Sequence, residues 1–481
     1  MRRLFEVKMS SRRVFLFPAL VLLVSLCARA QDNTLLIRNA TIVDTENGGL
    51  RRAMTIRIED ERITGVYKSN RTEAASGTFD AAGLFVIPGL WDMHVHAFWT
   101  PTSAERMFPL FLANGVTGIR DMGSPLPLED LVVLRDRYEQ DQRAPRIVMA
   151  GKLLDGDPPV WRGSLAARNA EEARKAVEAL RQSGFDCVKV YSRLGRQGYF
   201  AAAESARAFG LPLVGHVPIS ISALEAARAR QHSIEHLNEL LLACSRQEEV
   251  LRKELLDAPV GRPRDAVRRA HVKRLVETFY EKKALALARD FQRFGVWQVP
   301  TLHVQHTYAY RSPGGFLAEA WSRYLPKSTV DEFTSRLEAF REGKTADELS
   351  AQKRSYDREL ELVRIMIATG VRFLAGTDAE LFHTAGFGLH RELQLLADSG
   401  LGASGALRAA TINPAHALGR TKDFGSVRNG KMADLVLLEA NPLEDIRNSQ
   451  RIRAVVLKGR LYKRAQLDTM LESVARIAQR Q

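Results

Sequence analysis

"GLWDMHVHAFW", from Gly89 to Trp99, is the stretch on which the fold turns. His94 and His96 stand one residue apart behind a Pro-Gly pair, Pro88 and Gly89. Period-2 spacing sends both rings to one face of a strand. Alone, such a pair reads as half of a metal site, a satisfied core pair or chance. The sequence on either side decides. Before it, "NTLLIRNATIVD", "AMTIRIED", "ERITGVYKS" and "GTFDAAGLFVIPG" alternate apolar and polar residues between turn residues, which predicts strands over 31–87.

After it the rhythm changes to strand and helix in turn. "TGIRDMG", "RIVMAG", "FDCVKVYS", "LPLVGHVP", "HSIEHL", "VWQVPTL" and "VRFLAGTDA" are short apolar runs. Helical stretches such as "AEEARKAVEALRQSG" and "GYFAAAESARAFG" lie between them. With the opening strand they make eight βα units, which predicts an α/β fold with a (β/α)8 TIM barrel over 88–420; an open doubly wound sheet is the alternative. Charged helical insertions near 244–282 and 303–356 follow the sixth and seventh strands. They would emerge on the face where barrels carry active sites, as a lid or as solvated decoration. "GSVRNGKMADLVLLEANP" and "IRAVVLKGRLYKR" then return to short β segments. Both ends together predict a small β-sandwich from 31–87 and 421–466, followed by a C-terminal helix over 467–481.

A chain of 481 residues with 45% hydrophobic and 26% charged content suits a large globular barrel with an accessory domain. Residues 1–30 differ from the rest. Arg2, Arg3, Lys8, Arg12 and Arg13 precede the apolar run "VFLFPALVLLVSL", and "ARA" (Ala28 to Ala30) offers a cleavage site. This is a secretory signal peptide, too short in its apolar run for a comfortable membrane span, with an uncleaved anchor as the alternative. "SRRVFL" resembles a twin-arginine export signal, although Phe17 replaces the usual lysine after it. The expected location is periplasmic or secreted, with no stable membrane span after cleavage. The leader carries six basic residues and one acid, so its loss lowers the net charge from +14 to +9. The remaining Lys and Arg are interspersed with acids, which speaks against a nucleic-acid partner. Cys187 and Cys244, the two cysteines after the leader, form no disulfide framework.

The strand ends gather chemistry. His94 and His96 end the first strand and Lys189 lies in the fourth. His216 ends the fifth, His236 the sixth and Asp378 the eighth. Four imidazoles, a carboxylate and a lysine suit a two-metal site. An ammonium repels metal ions, but CO2 would convert Lys189 into a carbamate with two anionic oxygens. An ion pair with a nearby acid is the other reading of that lysine. Cys187, Lys189 and Tyr191 share one strand face.

With these motifs, "VIPGLWDMHVH", "VKVY", "GHV", "IEHL", "GTDA" and the closing "TINPAHALG…GSVRNGKMADLVLLEANPLEDI", the chain resembles the metal-dependent amidohydrolase superfamily. Within it the chain is most similar to the branch of imidazolonepropionase-like proteins and bacterial prolidases or Xaa-Arg dipeptidases. The resemblance implies that His94, His96 and Asp378 bind the more buried metal. His216 and His236 would bind the second, and N6-carboxylated Lys189 would bridge the two. Zinc is the expected metal, with manganese, cobalt or iron as alternatives. Water between two cations would be acidified to hydroxide, with Asp378 moving its proton to the leaving amine. Tyr191 is placed to steady the oxyanion or a substrate carboxylate.

His303 and His383, in loops on the same face, are candidate substrate contacts or plain loop histidines. His232 shares the parity of His236 in a lower layer. Asp121 reads either as a support for a metal-binding histidine or as half of a surface pair with Arg120, and Asp92 reads as structural. The expected activity is cleavage of an amide or dipeptide by an exported dipeptidase, prolidase-type or N-acyl amino acid hydrolase. Cyclic amides or lactones are the alternative substrates, and a mononuclear deaminase or noncatalytic barrel is a remoter reading. A homo-oligomer is compatible with the sequence.

Overall fold

The computed structural model describes residues 34–69, 75–310, 319–379 and 383–480. The leader therefore lies outside the described residues. Alternation works as expected in the first segment. In β1 (Thr34–Val43), β2 (Leu50–Glu59) and β3 (Arg62–Lys68), residues such as Ile37, Ile42, Ile56, Ile58 and Ile63 are turned inward. Two short strands, β4 (Gly77–Asp80) and β5 (Phe85–Pro88), lead to the turn at Gly89.

The chain then enters parallel β-structure. It comprises β6 (Leu90–Val95), β7 (Val116–Asp121), β8 (Arg146–Met149), β9 (Leu153–Asp155) and the two-residue β10 (Leu165–Ala166). It continues through β11 (Val188–Val190), β12 (Leu213–Gly215), β13 (Ser233–Glu235) and β14 (Trp297–Val299). Helices separate most of these strands. The helix Ala170–Gln182 is typical: Asn169 caps it by accepting from the Glu172 N–H at 2.9 Å, and Ala173, Ala176, Val177 and Leu180 form its buried stripe. That stripe shares one hydrophobic cluster with the outward residues Val188, Val190 and Ile234. The opposite, inward face carries buried polar residues, among them Arg120, Lys189, Ser233 and Glu235.

The described parallel strands group as β6-β7-β8 and β10-β9-β11-β12-β13-β14. The predicted eighth strand makes no regular strand, yet residues 372–379 run between β14 and β6. Bridges join Gln298 to Phe373 and Val95 to Ala379. Leu374 N–H donates to Gln298 O at 2.9 Å, and Met93 N–H donates to Ala375 O at 2.9 Å. Gly376 permits this close approach: a Cβ there would lie 2.6 Å from Val299 Cγ1 and 2.8 Å from His94 Cβ. Asp92 staples the same contact. Its carboxylate accepts from the N–H groups of His94 (3.2 Å) and Thr377 (3.0 Å) and from the Thr377 hydroxyl (2.6 Å).

Both insertions are helical. Helices Glu248–Asp257 and Arg262–Thr278 form the first; Leu302–Tyr310, Lys327–Arg341 and Ala346–Ala368 belong to the second. Lys273 and Asp347 pair across them at 3.1 Å. Among the described residues no helix is long and apolar enough to cross a membrane.

Three last strands, β15 (Leu435–Leu438), β16 (Ile452–Leu457) and β17 (Arg460–Lys463), precede the helix Arg464–Ala478. They join the first five in one eight-stranded sheet, ordered β17-β16-β15-β5-β1-β2-β3 with β4 on β1. β5 lies parallel to β1 and antiparallel to β15. Instead of two distinct sheets there is one, bulged along β1, whose Ile37, Ile56, Val86, Leu437 and Val456 share a single cluster. Arg146 of β8 ties this sheet to the parallel strands, donating to Asp434 at 2.5 Å and to Glu61 at 2.9 Å.

Asp92→Ala strips three donors of their buried acceptor. It should destabilise the metal-free protein by about 2 kcal/mol or more, whereas Asp92→Asn, which keeps an acceptor, should cost less than half of that in denaturant titration.

Candidate metal centre

The strand ends bring His94, His96, His216, His236, Lys189 and Asp378 together. His94 lies within β6 and His96 just past it. Lys189 is central in β11, and His216 and His236 each follow the last residue of β12 and β13. Rings of His94 and His236 are 4.4 Å apart between centroids, His94 and His96 5.5 Å, and His216 and His236 5.2 Å. Asp378 Oδ1 lies 3.3 Å from Nε2 of both His94 and His96. Lys189 Nζ lies 3.3 Å from His94 Nε2. One nitrogen each from His94 and His236 and one Asp378 oxygen lie within 4.8 Å of one another, close enough to hold a metal ion.

The far side of each imidazole is occupied. His94 Nδ1 meets Glu235 Oε2 at 2.7 Å, and His96 Nδ1 meets the Gly123 carbonyl at 2.7 Å. Nδ1 of His216 meets Ser192 Oγ at 2.7 Å, and that of His236 meets Thr301 Oγ1 at 2.8 Å. In all four rings Nδ1 is engaged by the surrounding structure, and Nε2 is the nitrogen left for a ligand. For His216 that nitrogen is buried without a hydrogen-bond partner. Orienting acceptors behind metal-facing histidines are the usual support of a metal site. The donor set thus fits divalent ions on this chain's own geometry.

Electrostatics agree. Burial lowers the pKa of His94, pushes that of His236 down to about 3 and takes that of His216 well below its ordinary value, so these rings are neutral, the form in which an imidazole can bind a metal. Burial opposes ionisation of Asp378, but His236 and the hydrogen bonds from His94 and His96 hold its carboxyl well below the usual range. For Lys189, burial lowers the ammonium to about 8 despite the nearby carboxylates of Glu235 and Asp378.

Three residues behind the site depart from the sequence reading: Arg120, Asp121 and Glu235. Arg120 does not pair with Asp121 at the surface. It is buried and donates from Nη2 to Glu235 Oε1 at 2.9 Å, from Nη1 to Ser233 Oγ at 3.1 Å and from Nε to Met93 O at 2.7 Å. Asp121 is buried too and accepts from the N–H groups of Phe98 and Gly123 at 3.2 Å, steadying the loop whose Gly123 carbonyl holds His96. Glu235 was not singled out, though it stands in "IEHL". Burial alone would raise its pKa, but Arg120 and His94 keep it ionised far below the carboxylate range. A glutamate directly before a ligand histidine at a strand end is the signal that could have found it.

The remaining candidates separate. Tyr191 stacks on His216 (4.0 Å, 28°), and its hydroxyl accepts from Trp161 Nε1 at 3.0 Å. His303 and His383 are buried, not exposed loop residues. Their rings lie 3.8 Å apart, and Glu392 receives the His303 N–H at 3.0 Å. His383 also faces Trp321. His232 does face inward at a lower layer, lining a small cavity with Arg120 and Cys187 below the site.

Comparison with known proteins follows the same lines. Residues 302–462 match the amidohydrolase family. It is 25% identical over 396 residues to an imidazolonepropionase of Deinococcus deserti, covering 81% of this chain and 86% of that protein. It is 26% identical over 192 residues to a dihydroorotase of Solibacter usitatus, where the match covers 38% of this chain but only 41% of the relative. Among solved structures, a putative prolidase from Bifidobacterium longum aligns with a TM-score of 0.64 at 24% identity, over 92% of this chain and 98% of that one.

Glu235→Gln should weaken metal binding by about ten- to a hundredfold in a chelator competition titration. Glu235→Ala, which also strands the Arg120 charge, should cost about 3 kcal/mol of stability in the metal-free protein.

Proposed function

We propose that this chain is a (β/α)8-barrel member of the amidohydrolase family and a binuclear metal-dependent hydrolase of amide bonds. The observation that carries the reading is the set of four histidines whose Nδ1 atoms are all engaged, leaving Nε2 atoms convergent with Asp378 and Lys189. His94, His96 and Asp378 would hold one ion and His216 and His236 the other. Nζ of Lys189, carboxylated by CO2 with loss of one proton, would add two oxygens between them. Bound divalent ions would supply Lewis acidity toward the scissile carbonyl and acidify the attacking water.

The chain's own groups do the rest. Asp378, held ionised, accepts a proton from the attacking water as the new C–O bond forms and delivers it to the amine nitrogen, whereupon the tetrahedral adduct collapses and the C–N bond breaks. Tyr191 accepts a hydrogen bond from Trp161, which leaves its own hydroxyl proton to donate to the carbonyl oxygen as charge develops there. Glu235 and Thr301 act through the histidines as positioning residues.

Dipeptides of the prolidase type and N-acyl amino acids are the leading substrates. An imidazolonepropionase-like cyclic amide is the second reading, favoured by the relative matched over most of the chain. We also infer export to the periplasm or beyond, on the leader read in residues 1–30; cell fractionation that leaves the protein in the cytoplasm would overturn it.

Metal analysis of active protein should find two equivalents per chain; one equivalent would overturn the binuclear reading. Lys189→Ala should abolish activity, with partial recovery on adding a short carboxylic acid together with metal. Asp378→Asn should retain the unfolding midpoint of the metal-free protein within a few degrees but lose turnover by about a thousandfold or more. A library of dipeptides, N-acyl amino acids and cyclic amides, assayed with zinc-loaded protein, distinguishes the substrate classes.

A further inference from the structure

Beside the metal centre runs an arc of rings drawn from four separate segments. Trp99 meets His96 edge-on at 5.3 Å, and Trp161 meets Trp99 edge-on at 5.3 Å. Trp161 donates to the Tyr191 hydroxyl, and Tyr191 stacks on His216. The arc therefore starts on one candidate ligand histidine and ends on another. Its three middle rings are only partly buried. None of them belongs to the hydrophobic clusters formed by the described residues. Large rings that are neither core nor fully solvated, set beside a catalytic cluster, are the usual material of a ligand wall.

The wall is also held in place from below. Buried Asp155 at the end of β9 accepts from the N–H of Val160 at 2.8 Å and from that of Arg193 at 2.7 Å. One carboxylate thus fixes both loops, the one carrying Trp161 and the one following Tyr191. A guanidinium from the second insertion, Arg336, sits 5.9 Å from the Trp161 ring. A loop that served only to shed solvent would need neither the anchor nor the rings.

We propose that Trp99, Trp161 and Tyr191 form a subsite for an aromatic or bulky apolar side chain flanking the scissile amide. The inference rests on the amide-hydrolase reading and names its substrate class. Flat indole and phenol faces offer such a group far more stacking and dispersion contact than they offer a methyl.

Matched dipeptides and N-acyl amino acids, carrying phenylalanine or alanine on either side of the bond, test this with the metal-loaded full chain. At one of the two sides phenylalanine should raise kcat/KM about tenfold or more over alanine, mainly through KM. In Trp161→Ala that ratio should collapse toward one, while Trp161→Phe, which keeps a ring but not the bond to Tyr191, should retain most of it. Trp99→Leu serves as the second variant if Trp161→Ala fails to fold. Equal kcat/KM for phenylalanine and alanine at both sides, or an undiminished ratio in Trp161→Ala, overturns the subsite. If no amide is hydrolysed, the enzymatic reading fails on its own. Calorimetric binding of N-acetylphenylalanine in preference to N-acetylalanine, lost in Trp161→Ala, then still decides the subsite.

Discussion

A full negative charge sits in the interior of the parallel strands, on Glu235, and the centre is arranged around its neutralisation. An unpaired carboxylate there would cost several kcal/mol. Arg120 from β7 meets one oxygen and the His94 ring the other, while Ser233 on the same strand adds a third contact. These bonds cross from β13 to β7 and to β6, so they fix the distance between strands as well as the tautomer of one ring. His94 then has one nitrogen left, and it faces Asp378 and Lys189. The arrangement at the ligand nitrogens therefore depends on a salt bridge that never touches the reacting groups.

Backbone conformation is bent to the same purpose. His236 and Asp378 both adopt left-handed φ angles, +60° and +56°, and Thr301 follows at +45°. Non-glycine residues rarely do so, and such departures gather where structure over-determines them. Here they lie at or just past strand ends, where the chain leaves the sheet. The turn at His236 breaks the alternation of β13, so Glu235 and His236 both face inward although they are adjacent. One residue supports a ring while its neighbour offers one.

That turn explains why the site was only partly legible in the sequence. His94, His96, Lys189, His216, His236 and Asp378 announce themselves because each stands at or near the end of an apolar run, and period-2 parity assigns its face. Glu235 fails that test: parity sends it away from His236, and only the left-handed turn reconciles them. Arg120 beside Asp121 looks like a surface pair because neighbours in sequence suggest a partner, but the partner lies on another strand. The terminal β segments were recognisable as strands by alternation. Their union in one β unit was legible too, but not its form as a single sheet, since the pairing of β5 with β15 leaves no local mark. His303 and His383 read as loop residues for want of any sign that Glu392 would bury with them.

The pairing of β5 with β15 has a consequence for how such a chain is made. β5 is the last strand before the parallel β-structure begins, and β15 is synthesised only after nearly all of that structure has emerged. Until then β5 presents an open edge, the kind that invites pairing with other chains. Arg146 likewise waits for Asp434. The two ends of the polypeptide work as a clasp closed last. Loss of the C-terminal strands would accordingly be more than a trimming at the periphery: it would reopen the edge at the doorway to His94 and leave the half-buried Arg146 with Glu61 alone.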